Sequence, residues 1–218
     1  MQPKRRIVCA SALFGVCLVS APVEGQGQPR MMVVVQDLSW SRDGGKLFFS
    51  AMRVRSDYSD YVPGKWSVYS YEPGSGAVER IAPNSFSVGA SPTAALIVVG
   101  KLVNGNRDLY VLDEDGREVT RLTADPAEDF GGAWSPDWRW IAFTSKRNGR
   151  SEAFVADADG SNPRRLIEAG SDRTLNPAWS PDGSLVAYYR EKGGRGGPGA
   201  RRSLRRNRRS QRDERRFQ

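Results

Sequence analysis

Histidine is absent from all 218 residues of the chain. Its absence removes imidazole as general base, metal ligand and pH switch, and with it Ser-His-Asp and Cys-His catalysis by this chain alone. Cysteine is nearly as scarce. The two present, Cys9 and Cys17, lie in the apolar opening segment, so the rest of the sequence offers neither a disulfide framework nor a thiolate metal site. A Gly-x-Ser-x-Gly nucleophile elbow is missing. Long apolar runs are missing too: Ile7 to Val19 is too short to cross a bilayer as a helix. The body of the chain also lacks an excess charge. Glu191 to Gln218 holds 11 basic and three acidic residues, which accounts for the whole formal net charge of +8. The basicity therefore belongs to a tail and not to the folded part.

Among the features present, Lys4, Arg5 and Arg6 precede the apolar run, and small and turn residues follow it up to Gly25. That order reads as a secretory signal peptide over residues 1–25. Val23 and Gly25 suit the minus-three and minus-one positions, which predicts cleavage before Gln26 and a periplasmic or secreted mature protein. The triplet Phe14-Gly15-Val16 before Cys17 is a poor lipoprotein signal.

The stretch Pro177-Ala178-Trp179-Ser180-Pro181-Asp182-Gly183 leads into the alternating run Leu185 to Tyr189. Proline presets φ and glycine accepts a positive φ, so this is a β-hairpin with an aromatic before its turn. The same unit recurs at Trp134-Ser135-Pro136-Asp137, at Trp40-Ser41-Arg42-Asp43-Gly44 and, degraded, at Ala90-Ser91-Pro92. Trp40, Ala90, Trp134 and Trp179 are separated by 50, 44 and 45 residues. Each hairpin is followed by a third strand, a turn and a fourth strand. A period in the forties with four short strands per unit predicts an all-β fold, a β-propeller of four-stranded blades.

These units resemble the TolB-type, WD-like β-propeller repeats, whose marks are a Pro-x-Trp-Ser-Pro-Asp-Gly hairpin, an Ile-Ala-Phe strand, a Tyr-Val strand and an Asp-x-Asp-Gly turn. The resemblance covers Gln36 to about Lys192; Arg42, Trp138 and the missing tryptophan of the second unit are departures. Blades are expected at residues 36–82, 83–129 and 130–174, with a partial one at 175–192, so about three and a half blades within a repeat region of residues 26–192. The Gly- and Arg-rich stretch 193–218 is expected to be an unstructured tail. Fewer than four blades do not close a ring. The alternatives are a longer propeller cut short, a shifted reading frame after Lys192, or self-association through the unclosed edges.

The resemblance implies docking of partner proteins in the cell envelope, with no enzyme activity and no cofactor. Partner contacts are expected on the loops joining second to third strands and blade to blade, at Tyr58, Asp60, Tyr61, Lys65, Arg107, Asp129, Arg147 and Arg173. The three hairpin tryptophans are expected to wedge between blades rather than stack on a ligand. Asp113-Glu114-Asp115-Gly116 and Asp157-Ala158-Asp159-Gly160 are read as hairpin turns and not calcium loops, since neither carries a glutamate at the twelfth position in a helical setting. Two other functions stay open. One is the substrate-filtering propeller of a prolyl oligopeptidase-like serine peptidase; the other is binding of nucleic acid or anionic surfaces by the tail, which an export signal argues against for nucleic acid.

Overall fold

The computed structural model describes residues 8–9, 17–19, 31–168, 170–192 and 201–206. It is an array of antiparallel sheets whose strands follow one another in sequence order. The first sheet contains β1 (Val8–Cys9), β2 (Cys17–Val19), β3 (Met31–Trp40), β4 (Leu47–Arg55), β5 (Ser67–Tyr71) and β6 (Val78–Pro83). The second contains β7 (Ser85–Ala90), β8 (Leu96–Val103), β9 (Asn106–Asp113) and β10 (Glu118–Arg121). The third contains β11 (Asp129–Trp134), β12 (Trp140–Ser145), β13 (Glu152–Asp157) and β14 (Arg164–Arg165). The fourth contains β15 (Arg173–Trp179), β16 (Leu185–Glu191) and β17 (Arg201–Arg206). No helix among the described residues is long and apolar enough to cross a membrane.

One part departs from the sequence reading. Arg201–Arg206, within the stretch assigned to an unstructured tail, pairs antiparallel with β16 from Leu185 to Arg190. Strand pairing is a main-chain interaction, so a segment poor in apolar residues can still occupy an open sheet edge. Residues 193–200 and 207–218 lie outside the described residues. So does most of the segment read as a signal peptide, including its expected cleavage point; the short strand β2 within it pairs with Val33–Val35 of β3.

The hydrophobic core lies between sheets. One cluster joins Phe48, Val68 and Ala82 of the first sheet to Val88, Ile97, Val99, Tyr110 and Leu112 of the second. The next joins Val98, Leu109 and Val111 to Trp134, Ile141, Phe143 and Phe154 of the third. A smaller one, Ile167 with Tyr188, begins the contact to the fourth. Each fully buried side chain of this size contributes about 1.5–3 kcal/mol, so a sheet in this array is stabilised mainly by its neighbour. Two of the three hairpin tryptophans act accordingly. Trp134 is buried in the second-to-third core, and Trp179 donates its indole N–H to the carbonyl oxygen of Ala133 at 3.0 Å. Trp40 has no described sheet before it and is 55% exposed.

The Ser-x-Asp of the first, third and fourth hairpins is a small hydrogen-bonded cage. Ser41, Ser135 and Ser180 donate their hydroxyls to Asp43, Asp137 and Asp182. The same serine oxygens accept the amides of Lys46, Trp140 and Leu185. These bonds hold the Asp182 carboxyl down to about 2, chiefly through the hydroxyls of Ser180 and Ser184. Trp138 stands where the first and fourth hairpins have Gly44 and Gly183, and it keeps their positive φ, at 60°. For a bulky residue that conformation costs about 1–2 kcal/mol. It is offset by stacking on Trp134, ring centroids 4.5 Å apart.

The innermost strands share a second device, a β-bulge. The register shifts after Gln36, Phe86, Phe130 and Leu175, and the next residue has positive φ in every sheet: Asp37 at 54°, Ser87 at 60°, Gly131 at 68° and Asn176 at 49°. Bulges sharpen local twist. Here they turn four equivalent side-chain positions toward a common channel of about 570 Å³.

Candidate functional site

An antiparallel meander puts its alternate connections at opposite ends. One end of the array carries the hairpin turns and the Asp-Gly turns, as the ion pair of Lys46 with Asp115 at 3.3 Å confirms. The other carries the connections from second to third strand and from sheet to sheet. At that end the first three sheets enclose a cleft of about 590 Å³.

Phe86 and Phe130, the residues before the bulges of β7 and β11, form the floor of the cleft with ring centroids 5.7 Å apart. Gly100 packs against them: a β-carbon there would make ordinary van der Waals contact, at 3.4 Å, with Phe86, Phe130 and the Arg107 stem alike. Val34, Met52 and Trp66 are buried together behind Phe86 as one wall. Tyr58 and Tyr61 form the rim, each 48% exposed.

The rim loop is held by its own polar groups. Asp60 accepts the amide of Arg55 at 2.6 Å, and Lys65 bonds both the carbonyl oxygen of Asp60 at 2.9 Å and its carboxylate at 3.3 Å. Asp57 accepts the amide and hydroxyl of Ser59. The Arg55 amide lowers the Asp60 carboxyl below its usual range, and the Ser59 amide does the same for Asp57. Tyr58 takes a positive φ of 58° within this framework. Asp60 and Lys65 thus hold the loop that presents the tyrosines.

Arg107 is the polar centre of the cleft. Its guanidinium lies 4.1 Å from the Phe86 ring centroid and its Nη1 is 3.5 Å from Glu128. Its side chain is only 11% exposed, and burial lowers its pKa from the ordinary value while Glu128 and Tyr61 oppose that shift. Glu128 also accepts a hydrogen bond from Lys146. Two cations therefore share one carboxylate, leaving the cleft one positive charge in excess.

Of the eight residues expected from the sequence, the cleft brings together Tyr58, Tyr61 and Arg107. Asp129 is fully buried and pairs with Arg147 at 3.1 Å; burial pushes its carboxyl up, against hydrogen bonds and the Arg147 charge. An enclosed carboxylate cannot reach a partner, which corrects its placement among contact residues. Arg147 donates to Ser145 at 2.8 Å and lies 4.8 Å from the Phe154 centroid, so it is part of the scaffold of the third sheet. Arg173 is exposed beside Glu191, at 3.3 Å, and outside the cleft. Phe86, Phe130, Trp66 and Lys146 were not anticipated. The signal was present: Phe86 and Phe130 occupy the same place in adjacent repeats, 44 residues apart.

A wider concavity of about 910 Å³ lies beside the third and fourth sheets, near Arg165, Ile167 and Tyr188.

Residues 39–210 match the family model described as the TolB beta propeller domain. An uncharacterized protein of Agrobacterium fabrum (strain C58) is 30% identical over 128 residues, which is 57% of this chain and 43% of that protein. Tricorn protease homolog 1 of Streptomyces coelicolor is 35% identical over 80 residues, 37% of this chain and 8% of its own length. The Tol-Pal system protein TolB of Francisella tularensis subsp. tularensis is 24% identical over 160 residues, 70% of this chain and 34% of its own. The chain thus spans less than half the length of these curated relatives. Among solved structures, TolB from Acinetobacter baumannii superposes with a TM-score of 0.60 at 19% identity, covering 83% of this chain and 47% of that one. That likeness concerns the fold.

Proposed function

The chain belongs to the TolB β-propeller domain family, and from that premise we propose that it is an exported, non-catalytic protein-interaction module that docks a partner protein in the cell envelope. The observation that carries this reading is the division of labour between the two ends of the array. The turn end is committed to packing between sheets. The opposite end gathers exposed tyrosines, aromatic walls and a small excess of positive charge from three successive blades, a composition suited to a protein or peptide surface. Arg173, exposed further along the same end, extends the proposed surface toward the fourth sheet.

A pull-down from periplasmic extract tests the reading. A captured partner is lost with Tyr61→Ala and kept with Lys46→Ala on the turn end; equal capture by both variants refutes this docking face. N-terminal sequencing of the exported protein checks cleavage before Gln26. The exposed Leu38 and Trp40 on the flank of the first sheet also favour self-association, which Trp40→Ala reduces in sedimentation velocity.

A second reading, the substrate-filtering propeller of a larger peptidase, is favoured by the similarity to Tricorn protease homolog 1. Reading the coding DNA in all three frames beyond Lys192 distinguishes it: a hydrolase motif there replaces the first reading.

A further inference from the structure

We propose that the cleft between the first three blades is a carboxylate-recognition site that takes an acidic side chain of a peptide segment, with Arg107 as its anchor. This rests on the docking end proposed above and assigns it a ligand chemistry.

The inference starts from unmet bonding capacity. A guanidinium carries five N–H donors in a planar fork. In Arg107 that fork lies against Phe86, its Nε has no hydrogen-bond partner, and its contact to Glu128 at 3.5 Å is longer than a charge-assisted hydrogen bond. Lys146 holds the other oxygen of Glu128. The carboxylate already in the cleft is therefore divided between two cations and saturates neither. An incoming carboxylate matches the free charge in sign and the fork in shape, where a single ammonium could not offer two parallel bonds. Phe86 fixes the plane of the fork, so little side-chain freedom remains to be lost on binding. Tyr58 and Tyr61 at the rim supply apolar faces with polar tips for the residues flanking the acidic one. A peptide is favoured over a small dicarboxylic acid because the exposed rim lies outside the cleft floor and needs a ligand long enough to reach both.

Fluorescence anisotropy on the full-length chain at physiological salt tests the site. The probes are a fluorescein-labelled peptide of alternating glutamate and leucine and its glutamine counterpart. The glutamate peptide binds at least tenfold tighter; Arg107→Gln removes that preference, and Arg107→Lys restores only part of it. Should Arg107→Gln fail to fold by circular dichroism, Tyr61→Ala, at an exposed position, weakens the same peptide several-fold. Equal affinity for the two peptides overturns the proposal, as does an Arg107→Gln variant that folds and keeps the preference. Stronger competition by inorganic phosphate than by acetate also overturns it, in favour of a phosphate ligand. If the peptide preference fails while the pull-down partner is still lost with Tyr61→Ala, carboxylate recognition falls and the docking end stands.

Discussion

A β-carbon on Gly160 would lie 2.1 Å from the carbonyl oxygen of Leu122, in the preceding repeat, and Gly116 stands in the same relation to Ile81 at 2.0 Å. The glycine of each Asp-x-Asp-Gly turn is therefore an inter-blade contact as well as a turn residue. Both have a φ of 85°. Gly160→Ala incurs the left-handed backbone cost of about 1–2 kcal/mol and a steric clash with main chain in addition. Gly149, with φ at 78° and nothing near its missing β-carbon, incurs only the first. Urea unfolding at neutral pH should place Gly160→Ala well below Gly149→Ala; equal midpoints would mean that the repeats move apart freely.

Equivalent tryptophans should differ in worth. Trp134 is 7% exposed and Trp40 is 55% exposed. Truncating a buried aromatic to alanine costs about 3–5 kcal/mol, so Trp134→Ala should be strongly destabilising in denaturant titration. For the chain at concentrations where it is monomeric, Trp40→Ala should cost less than about 1 kcal/mol.

Glu152 is 1% exposed and is held by Arg150 at 2.6 Å, Arg165 at 3.2 Å and Asn148 at 2.7 Å. Glu152 is enclosed while Arg150 and Arg165 are 34% and 37% exposed, so its removal leaves cations that solvent reaches, at a cost of about 1.5–3 kcal/mol from the lost charge-assisted hydrogen bonds. Glu152→Ala should lower the thermal midpoint by several degrees, with a smaller drop for Glu152→Gln, which keeps the shape and part of the hydrogen bonding.

Asp37 sits at the bulge of the first blade, open to the channel yet hemmed in by the neighbouring inner strands. That enclosure pushes its carboxyl up to about 6, against hydrogen bonds from Ser87 and Ser50. A carboxyl whose folded pKa is raised favours the fold most when protonated. Its contribution is full below the unfolded value near 3.8 and is lost as pH rises through 6. Asp37→Asn should therefore match the wild type near pH 4 and exceed its stability at pH 7.5. A constant difference between the variants across that range would exclude Asp37 as its source.

The repeat was legible because its hairpin depends on local chemistry. Proline and glycine at fixed offsets announce a turn, and the serine and aspartate that cage it are neighbours in sequence. The bulges were not legible, since nothing but glycine announces a positive φ, and three of the four positions hold Asp37, Ser87 and Asn176. The cleft was legible in part. Tyr58, Tyr61 and Arg107 follow from knowing which connections share an end, whereas the burial of Asp129 depends on the packing of the third sheet. Strand β17 was not legible for a different reason: its Arg-rich sequence has no hydrophobic period to mark a strand.

The turn end, with its caged hairpins and its glycines pressed against the preceding repeat, leaves almost no room for sequence change. At the opposite end Asp60, Arg147, Asn148 and Arg150 brace their own loops and sheets, and the freedom lies at exposed rim positions such as Tyr58 and Tyr61. A lineage can therefore exchange rim residues while leaving the turn end untouched. The same asymmetry makes this array a grafting scaffold, in which new binding specificities are sought by varying the exposed rim positions and conserving every Ser-x-Asp.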